Sequence, residues 1–213
     1  MIEVEVKVLL GEKEKAEELK KKLGNSTKGS KQWNHYFNIT SKDKLRTVLE
    51  PVIKEKSIFD NVLESNDISL RSRDNEKQVI LVFKASIDDS TSANGRARIE
   101  LEQEMNMPLK ELDELLLSAG CTYQAKWSRE REEFEKEGVT VTIDKNAGYG
   151  YLAEFEIMVD SPEKATEAKE KIYSLLKGLN LEELDSQRLA RMFDYYNKNW
   201  EKYYGTEKTF TIE

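Results

Sequence analysis

One cysteine and one histidine stand among 213 residues, and that scarcity removes whole classes of chemistry. With Cys121 alone the chain closes no internal disulfide and builds no zinc ribbon, which fits a reducing compartment. A Ser-His-Asp triad would need His35 beside an activated serine, and no serine is flagged as one. His35 is therefore expected to be a structural or surface residue. No apolar run approaches the roughly 18 residues of a membrane span, and no signal-type apolar segment follows Met1. Glycine-rich loops ending in Lys-Ser/Thr and dinucleotide fingerprints are missing as well. The expectation is a soluble, cytoplasmic protein whose chemistry falls to carboxylates, lysines and arginines.

Charge is what the chain has in quantity. Charged residues make up 35% against 38% hydrophobic, with a net charge of −7 and a pI near 5.1. This acidic balance argues against nucleic acid and against membrane as partners, so a basic site must be a local cluster. The length suits one large domain, or one domain with a helical appendage.

Hydrophobic periodicity places the elements. Residues 2–8 alternate, with Glu3, Glu5 and Lys7 on one face and Val4, Val6 and Val8 on the other. Residues 12–23 read as a helix stopped by Gly24, residues 24–31 as a polar loop and residues 32–39 as an aromatic strand. A helical region capped by Ser41 or Asp43, bent or broken at Pro51, fades near Asn66. Strands follow at 67–73 and 78–85, joined by a turn at 74–76. A polar loop at 88–95 and a strand at 96–105 come next. A short amphipathic helix covers 108–119. Strands at 123–134, 139–144 and 151–159 are linked through Gly138 and through Gly148 and Gly150, whose backbone can adopt positive φ or approach a neighbour closely. Amphipathic helices at 162–179 and 184–203 end the chain. The order predicts an α+β protein with mostly antiparallel strands.

The polar faces of these strands carry both signs. Glu3, Glu5, Glu100, Glu102, Asp144, Glu154 and Glu156 share faces with Lys7, Arg71, Arg73, Lys84, Arg98, Arg129 and Arg131, while alternate positions are mostly apolar. Ion pairs scattered over solvated faces would give such a pattern. So would a sheet closed around a charged interior, and there the balance would be completed by a polyphosphate with divalent cations. Arginine holds phosphate oxygens bidentately and lysine as a point charge. Carboxylates are hard donors suited to Mg²⁺ or Mn²⁺.

In this order the motifs resemble the CYTH domains, the triphosphate tunnel metalloenzymes. Glu3-Val-Glu5-Val-Lys7 is similar to the family's opening ExExK. Gln32-Trp-Asn34-His-Tyr36-Phe37 is similar to its Q-x-D-x-Y-F, and Leu70-Arg71-Ser72-Arg73 to its L-R-x-R. Phe83-Lys84, Arg98-Ile-Glu100-Leu-Glu102 and Arg129-Glu-Arg131 follow in sequence, and Asp144, Gly148, Gly150 and Glu154-Phe-Glu156 resemble the closing D…G-x-x-x-E-x-E. The resemblance spans roughly residues 1–160. It implies a closed eight-stranded antiparallel β-barrel, a tunnel, with helices packed outside. Residues 1–180 would form that domain and 181–213 a helical extension packed on it.

The resemblance also implies roles. Glu3, Glu5, Glu100, Glu102, Asp144, Glu154 and Glu156 would serve Mg²⁺ or Mn²⁺. Lys7, Arg71, Arg73, Lys84, Arg98, Arg129 and Arg131 would grip triphosphate oxygens, with Lys7, Lys84 and Asp144 closest to the chemistry. The implied activity is metal-dependent hydrolysis of inorganic, thiamine or nucleoside triphosphate. The alternative in the same framework is a class IV adenylyl cyclase, which shares nearly every charged residue. A non-catalytic polyphosphate-binding module would tolerate lost carboxylates, and all of them are present. Two departures stand out: Asn34 replaces an Asp, which would weaken a support, and Ser186-Gln187 stands where many class IV cyclases carry Ser-Tyr. The aromatic helix that follows (Phe193, Tyr195, Tyr196, Trp200, Tyr203, Tyr204) is expected to dock outside or serve a homodimer contact. Trp33 and Trp127 are expected to pack, with a smaller chance of meeting the organic part of a substrate.

Overall fold

The order of strands and helices in the computed structural model follows the sequence pattern. The structure describes residues 2–86 and 98–213. Its elements run β1 (Ile2–Gly11), α1 (Lys13–Leu23), β2 (Lys28–Asn38), α2 (Lys42–Leu49), α3 (Lys56–Glu64), β3 (Ile68–Asp74), β4 (Val79–Ser86) and β5 (Arg98–Met105). They continue with α4 (Leu109–Ser118), β6 (Thr122–Lys136), β7 (Val139–Asn146), β8 (Gly150–Val159), α5 (Ala165–Leu179) and α6 (Ser186–Asn199). The β1–β8, β2–β3, β3–β4, β4–β5, β6–β7 and β7–β8 ladders are all antiparallel.

The eight strands form one sheet in the order β1-β8-β7-β6-β2-β3-β4-β5. This corrects the expected closed barrel: β1 and β5 are the two ends of an open order, and no ladder joins them among the described residues. Period-2 alternation reports which side chains share a face, and that is the same in an open sheet as in a barrel. Closure requires hydrogen bonds between the end strands, for which alternation carries no signal.

Two compact units make up the described chain, one from residues 2–31 and 128–213 and the other from residues 32–86 and 98–127. In the first, the outer faces of β1, β6, β7 and β8 supply Val6, Val8, Leu10, Phe134, Val141, Ile143 and Phe155 to a core shared with α1 and α5. Helix α1 buries Ala16, Leu19 and Leu23, spaced to lie on one side, sets Lys20, Lys21 and Lys22 in its last turn where the helix dipole favours cations, and stops at Gly24 with φ 99°. Helix α5 presents Ala168, Ile172, Leu175, Leu176 and Leu179 in the same way.

The C-terminal segment of this unit docks on the β7–β8 turn. Rings of Phe193, Tyr196 and Phe210 stand edge-on to Tyr149 at centroid distances of 5.9, 5.8 and 5.4 Å. The Gly148 N–H donates to Lys208 O, and the Phe210 N–H donates to Gly148 O. Glycine is required at Gly150 (φ 75°), where a Cβ would lie 2.2 Å from the Gly11 carbonyl oxygen.

In the second unit Leu70, Leu81, Phe83, Ala85, Leu101 and Met105 face α2, α3 and α4 through Leu45, Leu49, Phe59, Val62, Leu112 and Leu116. Phe59 and Phe83 meet edge-to-face at 5.5 Å, so truncating either is expected to cost about 3–5 kcal/mol. The Ser41 hydroxyl caps α2 by accepting from the Lys44 N–H at 3.3 Å.

The helical region after Ser41 is broken around Pro51, as expected of a ring that supplies no N–H, into two helices. Strand β2 begins at Lys28, inside the stretch read as loop, and the Thr27 N–H donates to Glu133 O at 2.8 Å. Backbone pairing there needs no apolar side chain, so composition gave no sign of it. The polar loop expected at 88–95 lies outside the described residues. Among the described residues, no helix is long and apolar enough to cross a membrane.

Candidate functional site

The first unit brings together most of the charged residues of β1, β6, β7 and β8. Register does this: Glu5 lies opposite Glu156 and Lys7 opposite Glu154, Thr142 opposite Glu154, and Arg131 opposite Asp144. Because one face of each strand repeats every second residue, these rungs stack charged groups in rows.

At one end of the rows, Glu3, Glu5 and Glu156 each offer a carboxylate oxygen, and the three oxygens lie within 4.8 Å of one another. Glu156 is pushed up to about 7, first by burial and then by the carboxylate of Glu3, to which it is hydrogen-bonded, and by Glu154. A carboxyl that must take up a proton to sit beside its neighbours marks uncompensated negative charge. A divalent cation would relieve that charge, and three hard oxygen donors fit Mg²⁺ or Mn²⁺.

Beyond them runs an alternating chain of ion pairs. Lys7 contacts Glu5, and its Nζ lies 2.9 Å from Glu154 Oε1. Arg131 Nη2 donates to Glu154 Oε2 at 2.6 Å and to Asp144 Oδ2 at 2.6 Å, and its Nε donates to Asp144 Oδ1 at 2.7 Å. Arg129 Nη1 donates to Asp144 Oδ2 at 2.9 Å. Burial works to raise the Glu154 pKa, but the charges of Lys7, Arg131 and Arg129 prevail and hold it well below the usual carboxylate range. For Lys7 burial works downward, and Glu154 and Glu5 reverse it, so the ammonium is held charged. Asp144 is only 1% exposed, and its two oxygens accept from the guanidinium groups of Arg129 and Arg131.

The second unit has its own charged face. Arg73 donates from Nε to Asn34 Oδ1 at 3.0 Å and from Nη1 to Glu102 Oε1 at 3.2 Å. Arg71 donates from Nη1 to the Tyr36 hydroxyl at 2.8 Å and lies over that ring, 5.5 Å from its centroid. Its Nε is buried with no partner among the described residues. Lys84 pairs with Glu100 at 3.0 Å. Three cations here meet mostly neutral or half-exposed partners, an arrangement suited to taking up an anion.

Of the expected metal ligands, then, Glu3, Glu5 and Glu156 are brought together. Glu154 and Asp144 are tied to cations of the first unit, and Glu100 and Glu102 to cations of the second. The side chain of Arg98 lies outside the described residues. The structure also answers the Asn34 departure: the amide oxygen still supports Arg73, without bringing a charge.

Several residues escaped sequence reasoning. Tyr36 sits on the same-face positions of β2 that a ladder to Arg71 would have flagged. Thr142 reaches Glu154 at 3.4 Å. Asp113 is buried on the apolar side of α4 between Leu112 and Leu116, and a carboxylate among leucines was its signal. It collects His35, which is thus structural as expected.

Known proteins resemble this chain over most of its length. The family model described as "CYTH domain" matches residues 1–190. A Methanocaldococcus jannaschii protein named "Putative adenylate cyclase" is 27% identical over 182 residues, covering 85% of this chain and 91% of its own. A conserved hypothetical protein from Pyrococcus furiosus superposes with a TM-score of 0.61 at 24% identity, covering 84% of this chain and 91% of its own. A Hippeastrum protein, named a "Putative adenylyl cyclase" and described as having a dominant triphosphatase activity, superposes with a TM-score of 0.58 at 17% identity, covering 92% and 96%.

Proposed function

Because this chain belongs to the CYTH domain family, we propose that it is a divalent-metal-dependent phosphohydrolase acting on a small triphosphate: inorganic, thiamine or nucleoside triphosphate. The observation that carries the reading is the convergence of Glu3, Glu5 and Glu156 beside Lys7 and its ion-paired arginines. Glu3, Glu5 and Glu156 would hold Mg²⁺ or Mn²⁺. A divalent ion bound there would neutralise phosphate charge and make a bound water more acidic.

The remaining work falls to the chain's own cations. Phosphoryl transfer depends mainly on positioning and charge stabilisation. Lys7 in the first unit offers a half-buried ammonium to a phosphate oxygen. Arg129 and Arg131 present planar forks whose orientation Asp144 fixes before a ligand arrives, so little side-chain entropy is lost on binding. In the second unit Arg71, Arg73 and Lys84 suit phosphate oxygens in the same way, and Glu100 and Glu102 are the partners a phosphate would displace. The described activity of the Hippeastrum protein supports hydrolysis.

Cyclisation of ATP is the second reading. It is favoured by the name of the archaeal relative and by a cavity of about 490 Å³ in the second unit, where Asn38, Asn66 and Gln124 offer amide groups that could meet a nucleobase edge.

The test is a substrate panel. Purified protein with Mg²⁺ or Mn²⁺ is expected to release phosphate from at least one of triphosphate, thiamine triphosphate and ATP, and Glu5→Ala is expected to abolish release. Absence of phosphate from all three, or an unchanged Glu5→Ala variant, would overturn the reading. Cyclic AMP as the main ATP product would favour the cyclase instead.

A further inference from the structure

A buried hydrogen-bond cluster in the second unit lies just outside the proposed phosphate chemistry. Asp113 of α4 accepts from Ser72 Oγ at 2.6 Å through Oδ1, and from His35 Nδ1 at 2.6 Å and the Tyr123 hydroxyl at 2.7 Å through Oδ2. His35, Ser72 and Asp113 are 6%, 0% and 4% exposed. An ionised carboxylate with three donors is well satisfied, and the arrangement requires the imidazole to carry its proton on Nδ1. Burial works to raise the Asp113 pKa, but the hydrogen bonds from His35, Ser72 and Tyr123 outweigh it and hold the pKa below the ordinary value.

The ladder gives this cluster its meaning. His35 and Ser72 lie directly opposite each other, and the rungs on either side are Asn34 opposite Arg73 and Tyr36 opposite Arg71. One step along a strand is about 3.4 Å, with successive side chains on opposite faces. The carboxylate therefore clamps a single rung from the helix side. The two flanking rungs present, on the other face, two arginines already hydrogen-bonded to their cross-strand partners. A slip of one residue between β2 and β3 would break the clamp and turn both arginines away.

We propose that Asp113, through His35 and Ser72, is a positioning residue that sets Arg71 and Arg73 for phosphate. This rests on the phosphate-binding reading of those arginines. A purely structural carboxylate would lower stability and the active fraction and leave the affinity of the folded protein alone. A positioning carboxylate acts through the arginines.

The experiment is calorimetric titration of inorganic triphosphate into wild type, Asp113→Asn, Arg71→Ala/Arg73→Ala and the triple variant. Asn keeps the size and one acceptor oxygen but cannot serve three donors. The expected result is an affinity about tenfold weaker for Asp113→Asn in the wild-type background, and a change of less than about twofold where both arginines are absent. Ser72→Ala and Tyr123→Phe, each removing one donor, carry the same test with smaller losses if Asp113→Asn does not fold. Unchanged affinity with reduced stoichiometry, or an equal loss in both backgrounds, would overturn the proposal. Wild type that binds no triphosphate would instead remove the phosphate reading itself.

Discussion

The two units carry the same residue types in opposite proportion. In the first, the five carboxylates Glu3, Glu5, Asp144, Glu154 and Glu156 accompany Lys7, Arg129 and Arg131. In the second, Glu100 and Glu102 accompany Arg71, Arg73 and Lys84. Burial differs too: the Asp144 and Glu154 side chains are 1% and 12% exposed, against 41% and 40% for Glu100 and Glu102. Buried carboxylates hold their cations permanently, because separating such a pair leaves an uncompensated charge. Half-exposed ones hold them loosely, and an incoming phosphate can replace them. On the function proposed above, the first unit would supply the carboxylates for a metal and the second the cations for an anion.

Metal chemistry should break this contrast most visibly. Chelation, or Glu5→Gln, is expected to reduce phosphate release by about 10³-fold, while Glu100→Gln costs less than about tenfold. Steady-state rates with added Mg²⁺ or Mn²⁺ check both. Equal losses in the two units would show that the contrast does not separate metal binding from anion binding.

Stability should separate the units next. Arg131→Ala takes a guanidinium from buried Asp144, which keeps Arg129, and from Glu154, which keeps Lys7, and is expected to cost about 3 kcal/mol, whereas Arg73→Ala leaves Asn34 and the half-exposed Glu102 each short of one donor and costs about 1–2 kcal/mol. Urea denaturation measures both. The pH dependence follows from Glu154, whose pKa is held below the ordinary value of 4.5 in the folded state. Its stabilising contribution is present above that pH and lost as pH falls below it. In Arg131→Ala this acid limb should flatten.

Glu156 has the opposite sign. Its pKa in the folded state is about 7, above the ordinary 4.5, so without metal it lowers stability as pH rises between these values. Glu156→Gln is expected to stabilise the metal-free protein at pH 8 by about 1–2 kcal/mol, after allowance for solvent screening. The same change should weaken Mg²⁺ or Mn²⁺ binding. Melting temperatures with and without metal test the reversal.

Sequence periodicity reaches as far as faces. It places Glu5 with Lys7, and Arg71 with Arg73, because alternation on a strand is local. Which rung meets which, as in Lys7 opposite Glu154, depends on hairpin register. The open ends at β1 and β5 depend on hydrogen bonds between segments far apart in the chain. Which carboxylates cluster together (Glu3, Glu5 and Glu156, with Glu5 also meeting Lys7) and which are held between cations (Asp144, Glu154) was not legible either, since all five share one residue chemistry and differ in neighbours. Asp113 showed only as a carboxylate among leucines, and nothing local to α4 tells that two strands will deliver Ser72 and His35 to it.

The smallest expected effect probes why Arg73 has a neutral partner. Asn34 is 3% exposed and accepts from Arg73 Nε, so Asn34→Asp adds a full negative charge at hydrogen-bond distance without changing shape. The guanidinium would stay ionised and become better held, as Arg131 is by Asp144. Its attraction for phosphate would fall, because part of its field would be cancelled before the ligand arrives. Triphosphate affinity is expected to drop about three- to tenfold, with a shallower salt dependence, while urea stability stays equal or rises. Such a variant gives the second unit the character of the first. Unchanged affinity would mean that the neutrality of Asn34 has no bearing on anion binding, and that the contrast between the units lies in burial alone.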